Sequence, residues 1–318
     1  TLGALQLTLS ARGPRMRVLL SGSSGMIGKA VSRALAGRGD AVSRLVRAQS
    51  AGVPAYTDVR WDLASGEFDR VAAEGADAVV HLAGASIGGG KWTEERKAVL
   101  RESRIEATRH LVKSLAGLKT KPKIFVSASA IGYYGNRGDE KLTEHSGPGD
   151  DFLAQLTRDW EKETQKAADF GARVVMTRFG IVLSTRGGAL PKMLLPIKLF
   201  AGGKLGPGTQ WMSWVSLADV VRAILFALEN DAVRGAVNVV SLKPLQNAGF
   251  IKTAAKVLHR PAIAPAPAGA LRFMLGEMAD ALLLSSQRVF PERLAAFGFK
   301  FEDEELAPAL KTIIKERL

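Results

Sequence analysis

The chain has 318 residues, 47% of them hydrophobic and 24% charged, an ordinary globular composition with room for one large domain and an appendage or for two domains. It contains no cysteine, which removes disulfides, thiolate metal sites and thiol nucleophiles, and its four histidines (His81, His110, His145, His259) show no metal-ligand spacing. The formal charge of +13 is spread along the chain and aromatic residues are only 7%, so the basicity describes a surface that attracts anions rather than a nucleic-acid platform.

Residues 1–15 hold arginines but no acid and precede Met16, so they are expected to be a leader or a disordered extension. A cytoplasmic protein is expected, or an organellar one if that segment is a transit remnant; no later stretch has the length and apolarity of a membrane span. A first strand over Val18–Ser21 runs into Gly22, Gly25 and Gly28, and a helix follows with Ile27, Ala30, Val31, Ala34 and Leu35 on one face. Further strands are predicted at Ala41–Val46, Ala78–Leu82, Lys123–Ser127 and Val174–Arg178. Helices fall between them, one carrying Ile105, Thr108, Leu111, Val112 and Leu115, another Phe152, Leu156 and Trp160. This alternation predicts an α/β fold, a Rossmann-type doubly wound parallel sheet that binds ligands at the carboxyl ends of its strands.

From Ser184 to Gly208, six glycines punctuate an apolar stretch, read as a short helix between flexible loops that closes over a ligand. A helix at Leu217–Leu228 and a strand at Ala236–Val240 complete the sheet domain. The remainder is a small, mainly helical C-terminal region, with helices at Gly269–Leu284 and Glu304–Lys315. The expected division is residues 16–183 plus 209–240 for the nucleotide and 184–208 plus 241–318 for the substrate cleft and lid.

The strand, glycine turn and helix start bring backbone N–H groups and a helix dipole to one point, which suits a dinucleotide diphosphate. Arg44 and Arg47 stand at the second strand, where an NAD-type ribose partner would be acidic. A guanidinium there favours the 2′-phosphate of NADP(H). Asp62 is a candidate acceptor for the adenine amino group, and the small residues after His81 (Leu82, Ala83, Gly84) let the backbone pass close to adenosine. His81 itself reads as a packed strand residue. No metal ligands are assigned.

Several longer motifs carry a resemblance. The glycine turn, His81–Ala85, Ser103-Arg104-Ile105, Ser127-Ala128-Ser129 followed by Gly132-Tyr133-Tyr134-Gly135, Arg158-Asp159-Trp160-Glu161, Arg178–Leu183, Gly187-Gly188-Ala189-Leu190, Trp211–Val215 and Pro291-Glu292-Arg293-Leu294 are together similar to an atypical, extended short-chain dehydrogenase/reductase of the nucleoside-diphosphate-sugar epimerase-like branch. The resemblance implies that Gly22, Ser24, Gly25, Met26 and Ile27 hold the diphosphate and Arg47 the 2′-phosphate. It implies further that Ser127, Ser129 and the segment from Arg178 through Gly180 lie near the nicotinamide, and that Trp211 and Trp214 face the substrate cleft.

One departure cuts against activity. Such enzymes relay a proton through a Tyr-x-x-x-Lys pair on the helix after the serine-bearing strand. Here that helix reads Asp151 to Glu161 without a tyrosine, and its first lysine is Lys162. Tyr133 and Tyr134 are the nearest phenols, and Ser129 is left to polarise a carbonyl or to bind the coenzyme. Two functions therefore stand: an NADP(H)-dependent oxidoreductase or epimerase acting on a small carbonyl or sugar-like substrate, or a catalytically silent NADP(H)-binding regulatory or redox-sensing module. A monomer or homodimer is expected in either case, with no nucleic-acid partner.

Overall fold

Alternation along β1 (Arg17–Ser21) sends Val18 and Leu20 to one face and Leu19 to the other, and all three are buried. A strand buried on both faces needs a helical layer on each side. The computed structural model, which describes residues 16–46, 56–62, 65 and 67–315, supplies both. Seven parallel strands form the sheet: β1, β2 (Ala41–Val46), β3 (Thr57–Arg60), β4 (Ala78–His81), β5 (Ile124–Ala130), β6 (Arg173–Phe179) and β7 (Gly235–Val239). Their order is β7-β6-β5-β4-β1-β2-β3, the Rossmann-type α/β fold expected, with the direction of winding reversing between β1 and β4.

The principal helices are α1 (Met26–Arg38), α2 (Glu94–Arg101), α3 (Ala107–Ala116), α4 (Phe152–Gln165), α5 (Leu190–Lys198), α6 (Leu217–Glu229), α7 (Asn247–Leu258), α8 (Ala268–Leu275) and α9 (Leu306–Lys315). Val31 and Leu35 of α1 and Val220, Ile224 and Leu228 of α6 seal one face of the sheet. Leu111, Val112 and Leu115 of α3 seal the other. A third core joins α5, α7 and α9 through Leu194, Ile197, Phe250, Ile251, Leu310 and Ile313.

Two elements differ from the sequence reading. Strand β3 is not anticipated, because Val59 is its one buried residue and leaves no periodic signal. The single helix expected over Gly269–Leu284 stops at Leu275, where Gly276 takes a positive φ of 61°, and resumes at Glu277.

Candidate functional site

The first βα turn is built backbone against backbone. Gly22 has φ +69°, and a Cβ on it would stand 2.5 Å from the Leu82 carbonyl oxygen; one on Gly28 would stand 2.1 Å from the Gly22 oxygen. The Gly25 N–H donates to Gly22 O at 3.0 Å, and Gly25 caps α1 without any side-chain bond or acid in the first helical turn. A Cβ at Gly25 would meet only the Gly22 oxygen, at 3.3 Å. The free N–H groups at the start of α1 therefore face open space bordered by glycine, a cradle that fits a diphosphate.

Parallel pairing of β1 with β4 places Leu82, Ala83 and Gly84 beside this turn, and the Leu82 and Ala83 N–H groups both donate to Ser21 Oγ. Ser24 is exposed, Met26 is half-buried, and Ile27 packs its side chain against the sheet core. Asp62 is exposed just past the end of β3. Within the glycine-rich segment predicted to close over a ligand, Gly187 and Gly188 lie against Met26; a Cβ on Gly188 would stand 3.2 Å from Met26 Cε. Lys192 of α5 donates to Gly88 O at 3.1 Å. Residues 187–188 thus lie against the first residue of α1.

The basic residues at β2 divide. The Arg44 guanidinium bonds Asp58 of β3, with Nη2 at 2.6 Å, and lies over the Tyr56 ring. Arg47 lies outside the described residues.

His81 is fully buried. Ser21 Oγ accepts the Leu82 and Ala83 N–H groups, so its hydroxyl donates to His81 Nδ1 at 2.6 Å, and this tautomer leaves Nε2–H to donate to Thr108 Oγ1 at 3.0 Å. Burial pushes the imidazole down from its ordinary 6.5 to about 4. The folded chain keeps His81 neutral where the unfolded chain takes up a proton, so this residue's stability is present above pH 6.5 and lost as the pH falls toward 4. The loss should reach about 3 kcal/mol across that window. Urea unfolding at a series of pH values should show a shallower decline in His81→Gln; identical slopes would contradict the assignment.

Beneath the ends of β5 and β6 lies a buried polar chain. Ser129 Oγ donates to Glu161 Oε1 at 2.5 Å. Arg178 grips the same carboxylate with two bonds, Nε to Oε1 at 2.8 Å and Nη2 to Oε2 at 2.7 Å. Arg178 Nη1 donates to the Tyr134 hydroxyl at 3.0 Å, and that hydroxyl donates to Asn238 Oδ1 at 2.7 Å. Burial pushes the Tyr134 phenol up to about 12, against the opposing charge of Arg178. The Tyr134 hydroxyl is thus held between Arg178 and Asn238. Arg178 is likewise held by Glu161. Ser127 is fully buried beneath α4, accepting from Thr164 Oγ1. Gly180 is small for packing: a Cβ there would stand 2.4 Å from the Ser213 oxygen. Tyr133 differs from its neighbour. It is half-buried, its ring centroid lies 3.5 Å from Arg178 Cζ, and among the described residues its hydroxyl has no hydrogen-bond partner.

The missing relay pair is visible in space. The α4 residues against Gly132 are Leu153 and Thr157, four apart as a Tyr-x-x-x-Lys pair would be, and neither carries a phenol or an amine. Lys162 is exposed to solvent. Sequence reasoning passed over Glu161 as a working residue; the available signal was a carboxylate next to Trp160 on the apolar face of a helix.

Between the sheet and the C-terminal region opens a cleft of about 340 Å³, lined on one side by Asn136, Asp151 and Phe152 and on the other by Arg272, Asp280 and Ser285 among others. Neither tryptophan lines it. Trp214 is fully buried in the third core, its indole N–H donated to the Lys243 carbonyl. Trp211 donates its indole N–H to Asp139 and is covered by Arg288 at 4.3 Å. Among the described residues no group of three His, Asp or Glu side chains could hold a metal ion, and no helix is long and apolar enough to cross a membrane.

A glycine turn between the first strand and first helix of a seven-stranded parallel sheet defines a nucleotide-binding protein of the Rossmann type. The chain belongs to the NAD dependent epimerase/dehydratase family, whose model matches residues 18–240; a domain of unknown function, DUF1731, matches residues 266–313. It is 40% identical over 295 residues to an epimerase family protein of Mycobacterium leprae, covering 92% of this chain and 94% of that one. It is 38% identical over 304 residues to the epimerase family protein YfhF of Bacillus subtilis, covering 95% and 99%. The human epimerase family protein SDR39U1, solved with NADPH, superposes with a TM-score of 0.85 at 33% identity, covering 94% of this chain and 99% of that chain.

Proposed function

We propose that the chain binds NADP(H) at the glycine turn and acts as an oxidoreductase or epimerase on a small carbonyl or sugar-like compound held in the cleft. The observation that carries this reading is the turn itself, where α1 starts without a side-chain cap and Gly25 leaves room beside its N–H groups. The human relative solved with NADPH supports the choice of coenzyme. Gly22, Ser24, Gly25, Met26 and Ile27 bind the diphosphate through their backbone; Leu82, Ala83, Gly84 and Asp62 border adenosine; and Arg47, which follows β2 in sequence, takes the 2′-phosphate. The sheet domain carries the coenzyme, and residues 184–208 with 241–318 close the cleft.

When bound, the nicotinamide supplies or accepts the hydride. The chain must then supply or accept a proton at the substrate oxygen. The Ser129 hydroxyl donates its hydrogen bond to Glu161, and the buried Tyr134 hydroxyl donates to Asn238. Of the two phenols that follow β5, Tyr133 is the one whose hydroxyl has no hydrogen-bond partner among the described residues, and we assign it the proton transfer. NADPH-loaded protein offered ketones, aldehydes and nucleotide sugars should lose nicotinamide absorbance with at least one of them. Tyr133→Phe should slow that single turnover by about 10²–10⁴-fold; an unchanged rate removes the assignment.

A second reading is a silent NADP(H)-binding module. It is favoured by Leu153 and Thr157 standing where a relay pair would be and by the locked hydroxyl of Ser129. Tight NADPH binding without consumption by any member of the panel would select it.

A further inference from the structure

Three cationic side chains from separate elements converge on the turn that follows β4. Arg96 of α2 donates to the Ser86 carbonyl, Arg104 donates to Ala85 O at 2.9 Å, and Lys192 of α5 donates to Gly88 O at 3.1 Å. The glycines here let the cations close in: a Cβ at Gly84 would stand 3.3 Å from Arg104 Cζ, and one at Gly89 would stand 2.9 Å from Arg96 Nη2. Arg104 projects from a π-helical turn at Glu102–Glu106, an irregularity that helices often reserve for functional positions.

Among the described residues none of the three cations pairs with a carboxylate, whereas the neighbouring Lys97 is held by Glu94 and Glu277. Arg96 Nε is buried without a hydrogen-bond partner. Burial, and after it the charge of Arg96, pushes the Arg104 guanidinium down to about 10. Like charges gathered without a counter-charge repel, and an anion placed among them relieves that repulsion.

The turn is also tied to the cleft wall. The Trp92 indole N–H donates to Ile87 O at 3.0 Å, and its ring packs edge-on against Phe152 with centroids 5.3 Å apart; Phe152 lines the cleft. The diphosphate cradle at Gly22–Ile27 has donors of its own in the start of α1, so these cations are left for a different group.

We propose that Arg96, Arg104 and Lys192 form a seat for a compact oxyanion, a phosphate or carboxylate group carried by the substrate. The proposal rests on the coenzyme-linked reading of the adjoining cleft, and it makes the substrate an anionic carbonyl or sugar-like compound.

Calorimetric titration of the NADPH-saturated protein with inorganic phosphate, and separately with malonate, tests it. At least one should bind at one site per chain alongside NADPH; which one binds distinguishes a phosphorylated from a carboxylated substrate. Arg104→Gln should weaken that binding about tenfold or more, and Arg96→Gln and Lys192→Gln about three- to tenfold each, with NADPH affinity held within about twofold. Lys192 is exposed, so its variant carries the test if Arg104→Gln does not fold. Absence of binding by both anions, equal binding by wild type and variants, or competition between phosphate and NADPH would each overturn the seat. If wild type binds no NADPH, the coenzyme reading is what fails, and the same titration of the protein alone still decides the seat.

Discussion

Glu161→Ala is expected to cost about 3–5 kcal/mol of folding stability, the usual consequence of stranding one member of a buried ion pair. Arg178 is buried, and Glu161 supplies both acceptors for its bidentate grip as well as the acceptor for Ser129. Truncation leaves a guanidinium beneath Tyr133 with only the Tyr134 hydroxyl as a partner, and it leaves the Ser129 hydroxyl unmatched. Guanidinium chloride unfolding of the full chain would read the loss as a shifted midpoint. The double variant Glu161→Leu with Arg178→Met removes both charges together and should recover most of the deficit, because Tyr134 keeps Asn238 as its acceptor. A single-variant cost below about 1 kcal/mol would mean that the network is not the scaffold described.

That network also shows where reading from sequence stops. The sheet is legible because β1, β4, β5 and β6 are buried on both faces and separated by helices with an apolar stripe, so periodicity alone orders them. The glycine turn is legible because its chemistry is local to seven residues. The polar residues around Ser129 are not, because their roles depend on contacts far apart in the chain. Glu161 is 32 residues from Ser129, and Asn238 is 104 residues from Tyr134; only folding turns a suspected active-site cluster into a buried brace. Arg44 shows the same dependence on pairing. Its position at β2 suggests a phosphate ligand, but parallel pairing puts Asp58 directly beside it. Trp214 reads as a cleft aromatic by motif and is in fact the large side chain around which the third core closes. Conversely, Arg104 belongs to a motif in sequence but carries no assigned role there. It becomes informative once burial and the lack of a carboxylate partner are seen together.

The glycine turn supports a second large effect, one that separates packing from ligand binding. Gly22→Ala and Gly28→Ala should each destabilise the protein, by about 2–4 kcal/mol, because the added methyl meets backbone atoms in both cases. At Gly22 the obstacle is the Leu82 carbonyl, compounded by a φ of +69°; at Gly28 it is the Gly22 carbonyl, with no unfavourable φ. Gly25→Ala is predicted to behave differently. Its Cβ would have a single tight neighbour at 3.3 Å and otherwise open space, so the melting temperature should stay within about 2 °C of wild type. That open space is where the diphosphate is proposed to lie, and a methyl group there holds the anion away from the N–H groups at the start of α1. Losing two charge-assisted hydrogen bonds corresponds to roughly 10²–10³-fold in NADPH affinity. Thermal unfolding with and without NADPH, run on all three variants beside a calorimetric NADPH titration, reads both quantities. A stable Gly25→Ala protein that binds NADPH as tightly as wild type would place the coenzyme somewhere other than this turn.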